Sequence, residues 1–222
     1  MKRLNKSSIN ILAGLLLLLS FGCTDNSEKS SRVATLPFYN EASFTPHWFN
    51  LESDSLSSFH SIPAFELSNQ NGISITEETI TGKIVIADFF FATCPGICPK
   101  MTENMHFVQS AFKNDEQVII LSHSVTPRID SVSALREYAN EHQIQDGKWH
   151  LLTGDRSLIY GLGRNAYFVE EDLGLTKKPD DFLHTENFVL LDKKRRIRGI
   201  YNGLNKGSVN QLIADVKTLQ AE

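Results

Sequence analysis

The sequence has few cysteines, no excess of basic residues and no hydrophobic run long enough to cross a bilayer. Three cysteines in 222 residues are too few for a disulfide scaffold. Lys and Arg number 22 against 26 Asp and Glu, a net charge of −4. Without a clustered basic face, a nucleic-acid partner is not indicated. Repeats and low-complexity tracts are also absent, so a chain with 41% hydrophobic residues predicts one globular domain.

The N-terminus has the layout of a targeting segment. A basic start, MKRLNK, precedes the apolar stretch INILAGLLLLLSFG, which is shorter than the ~20 residues of a transmembrane helix. Small residues and then Cys23 follow, which resembles a bacterial lipoprotein signal with Cys23 as the lipidated first residue. We expect a signal peptide over 1–22, a tether over 23–61, and an extracytoplasmic, membrane-anchored lipoprotein on the periplasmic side. An ordinary signal peptide or an uncleaved anchor is the alternative, and both predict the same compartment.

Alternating strand and helix patterns predict an α/β domain over 62–222. KIVIADFFFA and QVIILSHSV are continuous apolar runs, typical of strands buried on both faces, and helical spacing follows each. WHLLTG is a shorter strand, and DRSLIYGLGRNA is a helix with Asp155 as its cap. ENFVLLD and RIRGIYNG form a hairpin before the last helix. Helix-linked strands imply a mostly parallel central sheet with helices on both faces, plus an added β-hairpin.

Cys94 and Cys98 lie where the first buried strand passes into a helix, in FATCPGICPK. This order of strand, cysteines and helix is the arrangement of thioredoxin-like folds. The partial positive charge at a helix N-terminus favours the thiolate. Because the thiolate is both a nucleophile and a metal ligand, the pair could be a structural disulfide, a redox pair or part of a metal site.

The spacing of the two cysteines bears on that choice. Thioredoxin-type catalysts use C-x-x-C, whereas this chain has three residues between the cysteines. On a helix, positions i and i+4 have Cβ atoms ~5–6 Å apart, and a disulfide requires ~3.8 Å. Two sulfurs bound to one metal can be up to ~4.6 Å apart. The wider spacing therefore suits chelation at least as well as disulfide closure.

Two thiolates would leave a structural zinc site incomplete, since zinc takes four ligands there. Copper(I) accepts fewer ligands, so two sulfurs and one imidazole would be adequate. His184 directly precedes the strand ENFVLL, at a position where thioredoxins usually carry a proline. This entry into the strand should face the loop that contains Cys94 and Cys98. His123, near the end of a buried strand, is the second candidate. A packing role for either histidine and a plain disulfide for the cysteines both stay open.

Four stretches, in this order, resemble the Sco/SenC family of copper-binding thioredoxin-like proteins: GKIVIADFFFATCPGICPKM, SHSVTPRIDSVSALREYANEH, WHLLTG and DFLHTENFVLLDKKRRIRGIYNG. The resemblance covers most of the chain after Pro63. It implies that Cys94, Cys98 and His184 bind one copper ion, as Cu(I) or Cu(II). It further implies copper delivery to, or thiol reduction at, the copper-site subunit of cytochrome c oxidase, with another extracytoplasmic copper protein as the alternative partner.

Two positions depart from the family pattern. Gly96 stands where the family often has Asp, and Thr126 replaces the Asp of a VDP motif. Carboxylates lost near a copper site can retune its redox potential or its docking, so the departures bear more on the target than on metal binding. A thiol–disulfide oxidoreductase, which needs both cysteines but not the histidine, is the alternative function. A peroxiredoxin is not indicated, because Phe91 stands where its motif has Thr.

Overall fold

A computed structural model describes residues 30–170 and 181–222. The expected signal peptide and Cys23 therefore lie outside the described residues. The elements are β1 (Glu66–Ser68), β2 (Ser74–Thr76), α1 (Glu77–Ile80), β3 (Ile84–Phe90), α2 (Cys98–Ala111), β4 (Val118–Ser124), α3 (Val132–Glu141), β5 (Trp149–Leu152), α4 (Arg156–Gly161), β6 (Asn187–Leu191), β7 (Ile197–Asn202) and α5 (Lys206–Ala221). None of the helices in the described ranges is long and apolar enough to cross a membrane.

Five strands form one mixed sheet in the order β5-β4-β3-β6-β7. β3, β4 and β5 run parallel, whereas β6 is antiparallel to β3 and β7 to β6. The predicted parallel core and added hairpin are therefore confirmed, and β1 and β2 form a separate two-stranded hairpin. In the register, Phe90 pairs with Ser124. The segments that follow β3 and β4 thus begin side by side at one edge of the sheet.

Two hydrophobic layers cover the two faces of this sheet. Alternate side chains of β3 face opposite layers, and the whole strand is buried. The first layer contains residues of α2, α3 and α5 and includes Cys98. The second contains residues of α4 and of the β1–β2 hairpin. Helices therefore lie on both faces, as the alternating pattern predicts.

The helix caps follow the residue types in the sequence. Asp155 accepts a hydrogen bond from the backbone N–H of Leu158 at 2.8 Å, which confirms it as the cap of α4. Ser131 and Asn205 accept equivalent bonds at the N-termini of α3 and α5. α2 has no side-chain cap. Its first turn contains Cys98, so this N-terminus remains available to the cysteine loop.

The segment before β1 packs on the domain. Leu36, Phe38 and Leu56 are buried, and Tyr39 pairs with Ile197 at the start of β7. Packed structure therefore begins before residue 62, where we expect the globular domain to start. The division of the chain into signal peptide, tether and domain stays a prediction.

Candidate metal centre

Cys94 and Cys98 follow β3 at the C-terminal edge of the parallel strands. β3 ends at Phe90 and α2 begins at Cys98, with Pro99 in its first turn. Proline suits this position because the first amides of a helix have no partner within it. Both cysteines are free; Cys94 is half-buried and Cys98 is buried. The pair thus reaches from the surface into the first hydrophobic layer.

Hydrogen bonds to the Cys94 sulfur favour its thiolate. Burial opposes ionisation, but the Cys98 thiol and the backbone N–H groups of Cys98, Gly96 and Ile97 donate to this sulfur. These donors outweigh burial, so that the pKa of Cys94 is lowered from its ordinary value. They converge because the loop curls directly into the N-terminus of α2, where amides have no helical partner.

Cys98 has the opposite electrostatic environment. Burial raises its pKa to about 12, and the neighbouring Cys94 and Asp88 contribute to the rise. The backbone N–H of Phe91 offsets part of this effect. Near neutral pH the pair is therefore asymmetric, with a reactive sulfur at the surface and a protonated one beneath it.

Asp88 is a buried carboxylate on β3, on the same face of the strand as Phe90. It is 3% exposed, and the Ser122 hydroxyl of β4 donates to its Oδ1. The indole N–H of Trp149 on β5 donates to the same hydroxyl oxygen at 2.8 Å. Burial raises the pKa of Asp88 to about 7, and the Ser122 hydrogen bond lowers it only partly. Our sequence reasoning missed this residue, although one acid inside KIVIADFFFA was the available signal.

Asp130 is a second buried carboxylate, between β4 and α3. Its Oδ2 accepts from the backbone N–H of Ala92 at 3.1 Å, from Ser124 Oγ at 2.5 Å and from Thr126 Oγ1 at 3.0 Å. Its Oδ1 is buried and has no hydrogen-bond partner within residues 30–170 and 181–222. Ala92 belongs to the cysteine loop, so Asp130 connects that loop to the end of β4. Sequence reasoning missed it, because no local pattern places Asp130 beside Ala92.

His184 is exposed on the segment that enters β6. Two residues before it, the Phe182 ring packs edge-on against Phe91, with ring centroids 5.4 Å apart. The adjacent Leu183 is buried beside Gly163, where an added Cβ would come within 2.6 Å of Leu183 Cδ1. Both contacts hold the backbone at His184 on the same edge of the sheet as the cysteine loop.

The structure brings Cys94 and Cys98 together but does not add the imidazole to them. Within residues 30–170 and 181–222, no group of three or more His, Cys, Asp or Glu side chains could hold a metal ion. The three-ligand set of Cys94, Cys98 and His184 therefore stays a prediction.

His123 lies on the other face of the sheet. Its ring stacks on Phe89 with centroids 4.7 Å apart and contacts Tyr167, and both neighbours belong to the second hydrophobic layer. Burial lowers the pKa of His123 to about 4, and Asp88 O partly counteracts this through a hydrogen bond. Because Cys98 belongs to the first layer, this neutral core histidine is not placed to join the cysteines.

Comparisons with known proteins agree on one family. The SCO1/SenC family model matches residues 53–221. The "SCO1 protein homolog" of Bacillus subtilis (strain 168) is 29% identical over 164 residues, which cover 72% of this chain and 82% of that protein.

Two solved structures share the fold over most of their length. The first is BsSco, described as a member of the Sco family of cytochrome c oxidase assembly proteins with a disulfide switch. It is 29% identical, with a TM-score of 0.62, and the match covers 73% of this chain and 94% of that one. Arabidopsis thaliana ScoI, solved with copper bound, is 26% identical with a TM-score of 0.55, covering 72% and 98%. The thioredoxin-like fold expected from the sequence is therefore confirmed, and the chain belongs to the SCO1/SenC family.

Proposed function

We propose that this chain is a copper chaperone that binds one copper ion through Cys94, Cys98 and His184. It would pass the ion to the copper-site subunit of cytochrome c oxidase or to another extracytoplasmic copper protein. The observation that carries the proposal is the thiol pair itself, where backbone amides favour the Cys94 thiolate beside the buried Cys98. Copper in this account is cargo, and the relative solved with copper supports it as the metal.

The chemistry of the donor set fits copper better than a structural metal. Sulfur ligands are soft and suit Cu(I), which tolerates few ligands, whereas structural zinc takes four. An under-coordinated site near the surface also suits transfer, because a partner ligand can reach the metal.

Thiol–disulfide exchange is the second candidate, and the asymmetry of the two thiols favours it. A lowered pKa makes Cys94 the attacking sulfur, and Cys98 lies against it as the resolving thiol. Such a reaction would need both cysteines and not His184. The disulfide switch described for BsSco supports this candidate. The two functions are compatible, since copper-site cysteines must be reduced before they bind metal.

The location follows from the N-terminal sequence. We propose that residues 1–22 are a signal peptide and that lipidated Cys23 anchors the domain on the extracytoplasmic side of a bacterial membrane. The residues between Cys23 and the packed segment that begins near Leu36 would then connect the domain to the membrane. Mass spectrometry of the protein from cells tests this: a diacylglyceryl modification on Cys23 is expected, and an unmodified Cys23 in the mature chain contradicts it.

Copper titration of the full chain tests the metal site. We would use Cys23→Ser protein in detergent, so that only Cys94 and Cys98 remain as thiols. One copper per chain with a thiolate-to-Cu(II) charge-transfer band is expected, and both should be lost in His184→Ala and in Cys98→Ser. His142→Ala is the matched control, because His142 lies at the C-terminal end of α3, away from the loop that carries Cys94 and Cys98. It should bind copper as the parent does.

The same variants separate the two candidate functions. Loss of copper in His184→Ala with unchanged disulfide exchange means that the histidine is a ligand and that exchange is an independent property. Absence of copper in the parent protein, together with active disulfide exchange, would replace the chaperone by the oxidoreductase.

A further inference from the structure

We propose that Asp130 is a positioning residue that fixes the cysteine loop for copper binding. The inference rests on the proposed function, because it concerns the geometry of that same site. Asp130 is 0% exposed, and no Lys or Arg pairs with it within the described ranges. A buried carboxylate without a cation is expensive, so hydrogen bonds must stabilise it.

Those hydrogen bonds come from two separate segments, the loop after β3 that carries the cysteines and the end of β4. Ser124 ends β4, Thr126 begins the following turn, and Ala92 lies two residues before Cys94 in the loop after β3. All three donors converge on Oδ2. One oxygen thus sets the distance between the cysteine loop and β4. The neighbouring bond from Val125 N–H to Phe90 O, at 2.9 Å, prolongs the pairing of β3 with β4 up to this point.

The second carboxylate oxygen indicates that packing alone does not explain the residue. Oδ1 is buried and has no hydrogen-bond partner among the described residues, a loss that an apolar side chain of similar size would not incur. Buried unpaired polar atoms are rare and costly. What offsets that loss is Oδ2, which accepts from a loop amide and from two hydroxyls at the same time.

The Thr126 departure belongs to the same cluster. Where the family often has Asp, this chain has a hydroxyl that donates to Asp130. Its hydroxyl joins the Ser124 hydroxyl and the Ala92 amide around one carboxylate oxygen, Asp130 Oδ2. We infer that Asp130 and Thr126 together fix the backbone at Ala92. Because Cys94 is two residues further along the same loop, they thereby fix the direction of the Cys94 side chain.

The test uses two replacements of the same carboxylate. Asp130→Asn can place its amide oxygen where Oδ2 accepts, with the amide nitrogen in the position of the unpartnered Oδ1. Asp130→Ala removes all three bonds. Outer-shell changes of this kind lower metal affinity about 10-fold to 100-fold. For Asp130→Ala we expect a loss in that range and a shifted thiolate-to-Cu(II) band, and for Asp130→Asn nearly parental behaviour, all in full-chain Cys23→Ser protein.

A second readout does not need copper. In the reduced protein without metal, the Ala92 amide should exchange slowly with solvent in the parent and in Asp130→Asn. It should exchange quickly in Asp130→Ala, and also in Asp130→Val, which fills the space without an acceptor and serves if the alanine variant does not fold. Fast exchange of the Ala92 amide in the parent would overturn the proposal. So would a folded Asp130→Ala protein with parental affinity and spectrum.

The two readouts keep this proposal distinct from the proposed function. If the parent binds no copper, the chaperone function fails, and the role of Asp130 in fixing the loop is then judged on Ala92 exchange and on the alkylation rate of Cys94. If the parent binds copper and Asp130→Ala changes nothing, the positioning role fails while the chaperone function stands.

Discussion

Replacement of Asp88 by Asn should change how the stability of this domain depends on pH. In the folded protein burial raises the pKa of Asp88 from 3.8 to about 7. The folded state therefore binds a proton that the unfolded state releases between these values. Stability from this group is fully present below pH 3.8 and is lost as pH rises to about 7. Each pKa unit corresponds to about 1.4 kcal/mol, so about three units give about 4 kcal/mol.

His123 produces the opposite slope over nearly the same interval. Burial lowers its pKa from 6.5 to about 4, so the unfolded chain binds the extra proton. Stability from His123 is present above pH 6.5 and is lost as pH falls to about 4, a loss of about 3 kcal/mol by the same conversion. In wild-type protein the two effects largely cancel across this interval.

The Asp88→Asn variant should reveal the pH dependence of stability that His123 produces and that Asp88 cancels in the wild type. Its amide oxygen can still accept from the Ser122 hydroxyl, so the substitution removes the titration with little change of shape. Urea unfolding of the reduced, metal-free protein should show stability rising by about 3 kcal/mol from pH 4 to 6.5 in Asp88→Asn. His123→Phe, which keeps a ring on Phe89, should show the reverse, with stability falling as pH rises. Parallel curves for wild type and Asp88→Asn would refute the assignment of a titrating buried carboxylate.

Three further predictions concern the cysteine edge and the N-terminal packing. Iodoacetamide at neutral pH should alkylate Cys94 well before Cys98, because the pKa of Cys94 is lowered and that of Cys98 is raised to about 12. Peptide mass mapping measures both rates, and equal rates would contradict the asymmetry of the two thiols. Gly96→Asp should fold normally, since an added Cβ would lie 3.9 Å from the Cys94 sulfur, and its charge should raise the pKa of Cys94 and slow alkylation; an unchanged rate would count against this. Arg198→Ala should lower the free energy of unfolding by about 1–3 kcal/mol, because it leaves the carbonyls of Leu36 and Pro37 without their donor. Lys193→Ala on the exposed hairpin tip should change it by less than about 0.5 kcal/mol; similar urea midpoints for both would contradict the role of Arg198 in N-terminal packing.

Periodicity predicted the sheet and the position of the thiols because those features depend on neighbours in sequence. The apolar run before Cys94 reads as a buried strand, and the helical spacing after Cys98 places both sulfurs at a strand-to-helix junction. A capping residue such as Asp155 is equally local, since it accepts from an amide three residues away. These inferences need no knowledge of which strands are adjacent.

The carboxylates around the site depend on contacts between distant parts of the chain. Asp88 receives its hydrogen bond from a residue 34 positions away, and Ala92 reaches Asp130 across 38 positions. Only the register of β3 against β4 makes them neighbours. The apolar run contained one acid, but the sequence could not show whether it faced a donor, a cation or solvent.

The packing of the N-terminal segment is non-local for the same reason. Arg198 donates to Leu36 O across 162 positions and pairs with Glu222 near the end of the chain. A polar, weakly periodic stretch reads as a tether, because its few apolar residues give no repeating pattern. The charged hairpin sequence KKRRIR gives no sign that Arg198, at its end, is almost fully buried.

The exposure of the three proposed ligands orders the steps of a copper transfer. His184 is exposed, Cys94 is half-buried and Cys98 is buried. An incoming thiolate from a partner therefore meets His184 and Cys94 before it can reach Cys98. Protonation favours the same order of steps. The pKa of Cys98 is raised, so this thiolate regains a proton most readily once the metal leaves. In the proposed transfer the two buried carboxylates would act at different ligands. Asp88 would disfavour the Cys98 thiolate after release, and Asp130 would keep Cys94 where a partner can reach it.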